Sequence, residues 1–253
     1  NDIGQPKVDT ATISLDTVTN IDGTKTEQIK PQILKYTYGD KVINLKTYKG
    51  LLLTVAETQA SKIKTTDAFG NIQQTTTTNT YIVNDIGQPK VDTATISLDT
   101  VTNIDGTKTE QIKPQILTYT YGDKVINLKT YKGLLLTVAE TQASKIKTTD
   151  AFGNIQQTTT TNTYIVNDIG QPKVDTATIS LDTVTNIDGT TTEQIKPQIL
   201  KYTYGDKVIN LKTYKGLLLT VTETGHSKIK TTDAFGNIQQ TTTTNTYIVN
   251  DIG

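Results

Sequence analysis

The sequence contains no Cys, Met, Trp or Arg, and these absences exclude several kinds of site. Without Cys the chain has no disulfides, no thiolate metal ligands and no thiol nucleophile. Without Arg, all 25 basic residues are Lys, and they balance 25 acidic residues. The chain therefore lacks both a broad positive field and the bidentate phosphate fork of Arg, so we do not expect nucleic acid as a partner.

Long apolar runs are also absent. The densest apolar patch, Leu51 to Val55, is far shorter than the roughly 18 residues that a membrane helix needs. We expect no membrane span in this fragment, and it shows no signal peptide pattern. The lack of Cys and Met removes the side chains that oxidise most easily, which favours an extracellular protein.

A repeat of 83 residues fills the chain, with copies that begin at Asn1, Asn84 and Asn167. We divide the chain into copy 1 (1–83), copy 2 (84–166), copy 3 (167–249) and the start of a further copy (250–253), each full copy being one small domain. Five positions of the repeat vary: Lys35 becomes Thr118, and copy 3 carries Thr191, Thr222, Gly225 and His226 in place of Lys25, Ala56, Gln59 and Ala60. Because residue 1 is not Met, we expect the chain to begin and end inside a longer array.

Each copy is predicted to be all-β. Thr supplies about a fifth of the residues, and β-branched and aromatic types dominate the rest. Alternation and short apolar runs predict seven strands in copy 1: residues 10–19, 24–30, 32–38, 41–48, 51–57, 62–66 and 72–83. The predicted turns are Asp22-Gly23, Pro31, Gly39-Asp40, Lys49-Gly50 and Gly70-Asn71. Short strands at this spacing favour a β-sandwich, and three copies in tandem predict an elongated rod.

One face of these strands supplies the predicted hydrophobic core. Its members are Ile13, Leu15, Ile33, Val42, Leu45, Leu51, Leu53, Val55, Ile63, Phe69, Ile72, Tyr81 and Val83, with Tyr36, Tyr38 and Tyr48 partly buried. About a dozen large apolar residues are enough for a small core, since each contributes roughly 1.5 to 3 kcal/mol of transfer free energy.

Two segments resemble a known family. Lys64-Thr-Thr-Asp-Ala-Phe-Gly-Asn71 precedes a Thr-rich strand, and Val8-Asp-Thr-Ala-Thr-Ile13 opens the unit. Both are similar to bacterial immunoglobulin-like repeats, in which the penultimate strand often ends in D-A-x-G-N and the next domain opens with V-D-T-x. The resemblance implies immunoglobulin-like β-sandwich domains in tandem. It also implies stalks of large adhesins or biofilm proteins at the bacterial cell surface.

The segment that joins two copies is short and contains one Gly and one Pro. It consists of Val83, Asn84, Asp85, Ile86, Gly87, Gln88 and Pro89. A flexible connection would more naturally use a longer Gly and Ser tract, and the apolar Val83 and Ile86 could dock on the neighbouring copy. We therefore predict a semi-rigid junction in which neighbouring copies of the chain touch.

Calcium is the one cofactor for which the sequence offers candidate ligands. Asp85 and Asp92 flank the junction, and Asp16, Asn20 and Asp22 cluster near the first predicted turn. Carboxylate and amide oxygens of this kind suit a hard cation. The alternative is that these side chains cap turns by hydrogen bonding to the local backbone.

No catalytic site is predicted. The only His, His226, stands where the other copies have Ala60 and Ala143, so no shared site can use it as an acid, base or ligand. Lys7, Asn79 and Glu57 form a candidate trio for an internal Lys to Asn amide bond, which requires all three side chains to meet in the core.

Three classes of function remain open. The first is a structural stalk or spacer that projects an adhesive head or builds a biofilm matrix. The second is an extracellular filament in which repeats pair with other copies of the same protein. The third is a repeat that binds one ligand many times over.

Overall fold

A computed structural model describes residues 6–20, 23–209 and 212–249. Strands make up 73% of this structure and the described residues contain no helix, which confirms the predicted all-β class. None of the described elements is therefore a helix that could cross a membrane.

The strands recur from copy to copy, but some of them differ in length. Copy 1 contains β1 (Thr10–Ile13), β2 (Val18–Thr19), β3 (Lys25–Lys30), β4 (Gln32–Ile43), β5 (Lys46–Gln59), β6 (Ser61–Thr66) and β7 (Ile72–Val83). Copy 2 contains β8 (Pro89–Leu98), β9 (Val101–Thr102), β10 (Lys108–Lys113), β11 (Gln115–Ile126), β12 (Lys129–Gln142), β13 (Ser144–Thr149) and β14 (Ile155–Val166). Copy 3 contains β15 (Pro172–Thr185), β16 (Thr191–Lys196), β17 (Gln198–Ile209), β18 (Lys212–Gly225), β19 (Ser227–Thr232) and β20 (Ile238–Thr243).

The middle of each copy is one long hairpin, not the three strands predicted over residues 32–57. Its two-residue turn is Asn44–Leu45, and both residues have positive φ, at 49° and 63°, as a type I′ turn requires. The predicted turns at Gly39-Asp40 and Lys49-Gly50 are wrong. These two pairs face each other inside the hairpin, where the ladder is irregular and Gly50 N donates to Asp40 Oδ1 over 3.1 Å. The Asp40 carboxylate thus takes the place of a backbone carbonyl as the acceptor for the Gly50 N–H. These residues therefore form a β-bulge within the hairpin.

Each copy contributes its strands to two groups. In copy 1 the first group is ordered β1-β4-β5 and the second β7-β6-β3-β2. All the pairings within these groups are antiparallel. The groups meet where β5 lies against β7, and the same contact recurs between β12 and β14 in copy 2.

The sheets continue from one copy into the next. The last strand of each copy pairs antiparallel with the first strand of its successor, β7 with β8 and β14 with β15. The second group of copy 1 and the first group of copy 2 consequently lie in one sheet, ordered β12-β11-β8-β7-β6-β3-β2. The sequence boundaries between copies thus fall at hairpin turns within these sheets.

Strand length depends on the neighbouring copy. The opening segment of the repeat forms a strand of 4 residues in copy 1, 10 in copy 2 and 14 in copy 3. The closing segment forms 12 residues of strand in copies 1 and 2 but only 6 in copy 3, although its sequence is identical. Among the described residues, β1 pairs only with β4 and β20 only with β19, whereas β8 and β15 also pair with the last strand of the preceding copy.

The buried core is smaller than the sequence predicted. In copy 1, the buried apolar side chains among the described residues are Leu34 and Val55; in the other copies they are Ala94, Val101, Leu117, Val138, Ala177 and Leu200. The prediction was right for Val55 but wrong for Leu45, Phe69 and Val42, which are largely or fully exposed. Leu45 and Phe69 lie at turns and Val42 lies near the hairpin tip, where no second layer covers them. Ile13, Leu15 and Ile72 are also exposed rather than core.

Candidate functional site at the junction between copies

The predicted linker is the ordered turn of the β7–β8 hairpin. Val83 ends β7 and Pro89 begins β8. Gly87 N donates to Asn84 O over 3.0 Å, and Asn84 Oδ1 accepts from Gln88 N over 2.8 Å. Gly87 has φ +78°, a conformation that strongly favours glycine. The same turn closes the second junction at residues 167–171, so both junctions hold the chain in one geometry.

This turn is anchored to the preceding copy. Asp85 forms an ion pair of 2.9 Å with Lys41 in the long hairpin of copy 1, and the second junction repeats the pair between Asp168 and Lys124. A Cβ atom at Gly87 would lie 3.5 Å from the backbone nitrogen of Leu52, so the turn also packs on β5. Ile86 stays largely exposed, so the docking predicted for its side chain is not observed.

A second set of contacts joins the turn at residues 67–71 to the next copy. Asn71 Oδ1 accepts from Ile104 N over 3.3 Å, and Lys62 forms an ion pair of 2.5 Å with Asp99. A Cβ atom at Gly70 would lie only 3.0 Å from the Cδ1 atom of Ile104. The equivalent residues make the same contacts at the second junction, where Asn154 Oδ1 accepts from Ile187 N over 3.1 Å and Lys145 lies 2.9 Å from Asp182.

Asp67 fixes the position of Asn71 in this contact. Its Oδ1 atom accepts from Phe69 N and Asn71 N over 2.9 and 2.8 Å, and its Oδ2 atom accepts from Asn71 Nδ2 over 2.9 Å. The side-chain amide of Asn71 lowers the pKa of Asp67, and the backbone N–H groups of the turn lower it further. The ionised carboxylate therefore orients the amide that receives the next copy.

A cavity of about 340 Å³ lies at this junction, lined by residues of both copies. Copy 1 contributes Thr65, Asp67, Asn71, Ile72 and Gln73, and copy 2 contributes Leu98, Val101, Asn103 and Thr109. A smaller cavity of about 180 Å³ recurs at the equivalent position of the second junction. Hydroxyls, amides and aliphatic groups dominate the lining, and its one carboxylate is committed to the turn. The cavity thus pairs no nucleophile with a base.

Within each copy, one carboxylate joins the two strand groups. Glu57 on β5 accepts from Asn79 N on β7 over 2.6 Å and from Gln32 Nε2 over 2.5 Å. Gln32 Nε2 also donates to the hydroxyl of Tyr81 over 3.0 Å. Burial raises the pKa of Tyr81, and the charge of Glu57 raises it further. Glu57 thus satisfies a backbone N–H of β7 beyond the last residue that pairs with β6.

Copy 3 modifies this arrangement through its single His. Glu223, the counterpart of Glu57, accepts from Asn245 N over 2.5 Å, and this hydrogen bond is the main cause that lowers the pKa of Glu223. The Nδ1 atom of His226 lies 3.4 Å from Glu223 Oε2, and the Glu223 side chain is only 2% exposed. Because copies 1 and 2 keep the Glu-mediated link without a His, His226 is an addition to it.

The candidate amide trio is not assembled. Lys7 Nζ donates to Gly50 O over 2.6 Å and lies 4.8 Å from the ring centroid of Tyr38. The Glu57 side chain instead meets the backbone nitrogen of Asn79. The structure therefore brings two of the three residues together, but through a hydrogen bond that stabilises the sheet.

The calcium candidates are dispersed. Asp85 pairs with Lys41, Asp92 lies half-buried in β8, Asp16 and Asn20 are exposed beside β2, and Asp22 lies outside the described residues. Over the described ranges, no three acidic or His side chains are grouped to hold a metal ion. The counterpart of Asp22 in copy 2, Asp105, accepts from Thr107 N over 2.9 Å, as a turn cap does. Calcium binding stays a prediction, and its signature would be a higher melting temperature in millimolar calcium than in a chelator.

Comparisons of the chain with protein-family models, with curated proteins and with solved structures found no match. Sequence reasoning singled out the linker but missed Lys41, which pairs with its turn, and Asn71 and Lys62, which contact the next copy at Ile104 and Asp99. The signal that the sequence did offer was for the hairpin itself, because Asn84-Asp-Ile-Gly87 stands between two alternating runs, as a hairpin turn does.

Proposed function

We propose that the chain is a structural spacer, a series of stalk repeats from a bacterial surface adhesin or biofilm protein. The observation that carries this proposal is the pairing of the last strand of each copy with the first strand of the next, β7 with β8 and β14 with β15. A shared sheet resists bending between copies far better than a flexible linker does.

The anchored turns support the same function. Each junction adds an ion pair from the turn to the long hairpin, Lys41 to Asp85 or Lys124 to Asp168, and a hydrogen bond from the Asn71 or Asn154 amide to the next copy. Because every participating residue is the same at both junctions, an added copy brings an interface that already fits. Length can then increase by duplication alone, as in other repeat proteins.

The proposal is tested by the distribution of distances between copies 1 and 3. Since the chain has no Cys, spin labels can be attached at Leu45→Cys and Phe235→Cys, two positions that are at least nine-tenths exposed. We expect a narrow distance distribution in pulsed electron resonance. Two matched variants, Thr80→Pro and Thr163→Pro, remove a strand-pairing N–H at each junction and should broaden it. A broad distribution in the unmodified chain would refute a semi-rigid spacer.

A further inference from the structure

The cavity at the junction is built jointly by two copies of the repeat. Its lining residues lie between residues 65 and 109 at the first junction, where it measures about 340 Å³. The smaller cavity of about 180 Å³ at the second junction is lined by residues between 148 and 186. At each junction one copy supplies one wall and the next copy supplies the other, so no single copy contains the whole site.

The two walls belong to different sheets. On one side, Thr65 and Gln73 are register partners on β6 and β7, which lie in the seven-stranded sheet. On the other side, Val101 and Thr109 are register partners on β9 and β10, which lie in the ten-stranded sheet. Because β9 lies near β7, side chains of both sheets border the space between them.

Two turns hold the walls together. Ile104 N of copy 2 donates to Asn71 Oδ1 of copy 1 over 3.3 Å. The neighbouring Asn103 is fixed by its backbone, since its N–H donates to Thr107 O over 2.8 Å and its carbonyl accepts from Gly106 N over 3.0 Å. The backbone thus holds the side-chain amide of Asn103 at the cavity without occupying it.

Four polar side chains of the lining, Thr65, Gln73, Asn103 and Thr109, have unused capacity for hydrogen bonds. None of them makes a side-chain hydrogen bond to another described residue. They are not sealed in the interior, because every buried side-chain nitrogen or oxygen in the described ranges has a partner. Amides and hydroxyls both donate and accept, so the four groups suit a ligand that does the same.

The rest of the lining favours a neutral ligand. Ile72, Leu98 and Val101 supply aliphatic surface, and no Lys is among the lining residues. The one carboxylate, that of Asp67, accepts three hydrogen bonds within its own turn. A charged ligand would lose its hydration here without gaining an opposite charge. A neutral molecule with hydroxyl groups and C–H faces would find a partner for both.

We propose that the junction cavity binds a neutral sugar. The sugar hydroxyls hydrogen-bond to the side chains of Thr65, Gln73, Asn103 and Thr109, and its C–H faces contact Leu98 and Val101. A volume of about 340 Å³ is at the small end of the range for small-molecule sites, which suits a short saccharide. Each added copy brings one more junction, so the array is multivalent for a polysaccharide. This inference adds a ligand to the junction and does not depend on the spacer function.

The first junction should bind more tightly than the second. At the second junction the counterpart of Gln73, Gln156, donates to Thr158 over 3.4 Å, and the counterpart of Thr109, Thr192, shares a hydrogen bond of 3.1 Å with Thr231. These two groups must give up a partner before they can contact a ligand. Asn103→Ala alone should therefore weaken binding more than Asn186→Ala alone.

Saturation-transfer difference NMR on the 253-residue chain tests the site, because it detects weak ligands through their own signals. The neutral probes are maltose, lactose and N,N′-diacetylchitobiose, and sodium glucuronate is the charged probe. Thr65→Val with Thr148→Val removes one lining hydroxyl at each junction and keeps the shape of the side chain. Asn103→Ala with Asn186→Ala removes one lining amide at each junction. Thr78→Val with Thr161→Val, at exposed positions outside both cavities, is the matched control.

We expect saturable binding of the neutral sugars in the millimolar range and no saturable binding of glucuronate. Each cavity variant should bind at least about tenfold more weakly, the equivalent of about 1.4 kcal/mol, and the control should bind like the unmodified chain. Unchanged melting temperatures of the Asn variant will show that its loss of binding is not a loss of folding, since neither Asn103 nor Asn186 makes a side-chain hydrogen bond to a described residue.

Three results would overturn the proposal: no saturable binding of any of the three neutral sugars, cavity variants that bind as well as the unmodified chain, or glucuronate that binds as tightly as the neutral sugars. The junction variants Thr80→Pro and Thr163→Pro add an independent test, because they separate the walls and should weaken binding as they broaden the distance distribution. A chain with a narrow distance distribution that binds no sugar would reject this site and leave the spacer function intact.

Discussion

Val101 is a side chain whose burial depends on the preceding copy. It is 9% exposed in β9, where it lies near β7 of copy 1, whereas Val18 occupies the same position of copy 1 and is 44% exposed. The residues around the two valines in sequence are identical. Val101→Ala and Val18→Ala therefore form a matched pair that differs in the presence of a neighbouring copy.

The expected difference follows from burial. Val to Ala removes two methylene equivalents, which are worth about 0.8 kcal/mol each when buried, and a residual cavity adds to the loss. We expect Val101→Ala to lower the free energy of unfolding by about 1.5 to 2.5 kcal/mol. Val18→Ala should cost less than about 1 kcal/mol, because nearly half of that side chain is in water already. The change in β-propensity is common to both variants and cancels.

Urea unfolding followed by tyrosine fluorescence and circular dichroism measures both variants, since the chain has 12 Tyr and no Trp. We expect a clearly larger decrease in the unfolding midpoint for Val101→Ala at an unchanged slope. Equal decreases for the two variants would refute the reasoning, because they would show that the junction adds nothing to the burial of Val101.

Three further outcomes are expected. Gly153→Ala should lower the melting temperature more than Gly236→Ala does. Both glycines have φ near +90°, but a Cβ at Gly153 would lie 3.0 Å from an isoleucine of the next copy, whereas one at Gly236 would meet nothing within 4 Å. Leu128→Gly should raise stability by about 1 kcal/mol, because Leu128 is fully exposed at φ +62° and loses no contact; urea midpoints measure it. The Asn154 amide lowers the pKa of Asp150 in the folded chain. The ionised Asp150 therefore contributes its full stabilisation above about pH 4, and this stabilisation is lost as the pH falls through the folded-state pKa. Asp150→Asn should make the melting temperature depend less on pH in this acid range.

Several elements of the fold are predictable because local chemistry alone determines them. The strand predicted over residues 72–83 matches β7, and those over 24–30 and 62–66 match β3 and β6 to within a residue. In each case alternation continues without interruption between two turn signals. The turn at Gly70-Asn71 is also confirmed, because Asp67 supplies the hydrogen bonds that such a turn requires.

The long hairpin shows where local chemistry misleads. Gly39-Asp40 and Lys49-Gly50 carry stronger turn signals than Asn44-Leu45, because Leu is disfavoured at positive φ. In the structure Gly39-Asp40 and Lys49-Gly50 lie opposite each other, at a register shift of the hairpin ladder. Only the cross-strand register reveals that relation, and the sequence of either strand alone does not contain it.

The dependence of strand length on neighbours explains why the junction was the hardest feature to predict. Residues 78–83, 161–166 and 244–249 are identical in sequence, yet only the first two form strand. A partner strand satisfies the outward N–H groups, so the decisive interaction lies outside the repeat that a sequence pattern describes. The same dependence gives near-perfect repetition a physical role. A substitution in the closing segment of one copy changes its fit to the opening segment of the next, so the two edges must remain complementary at every junction.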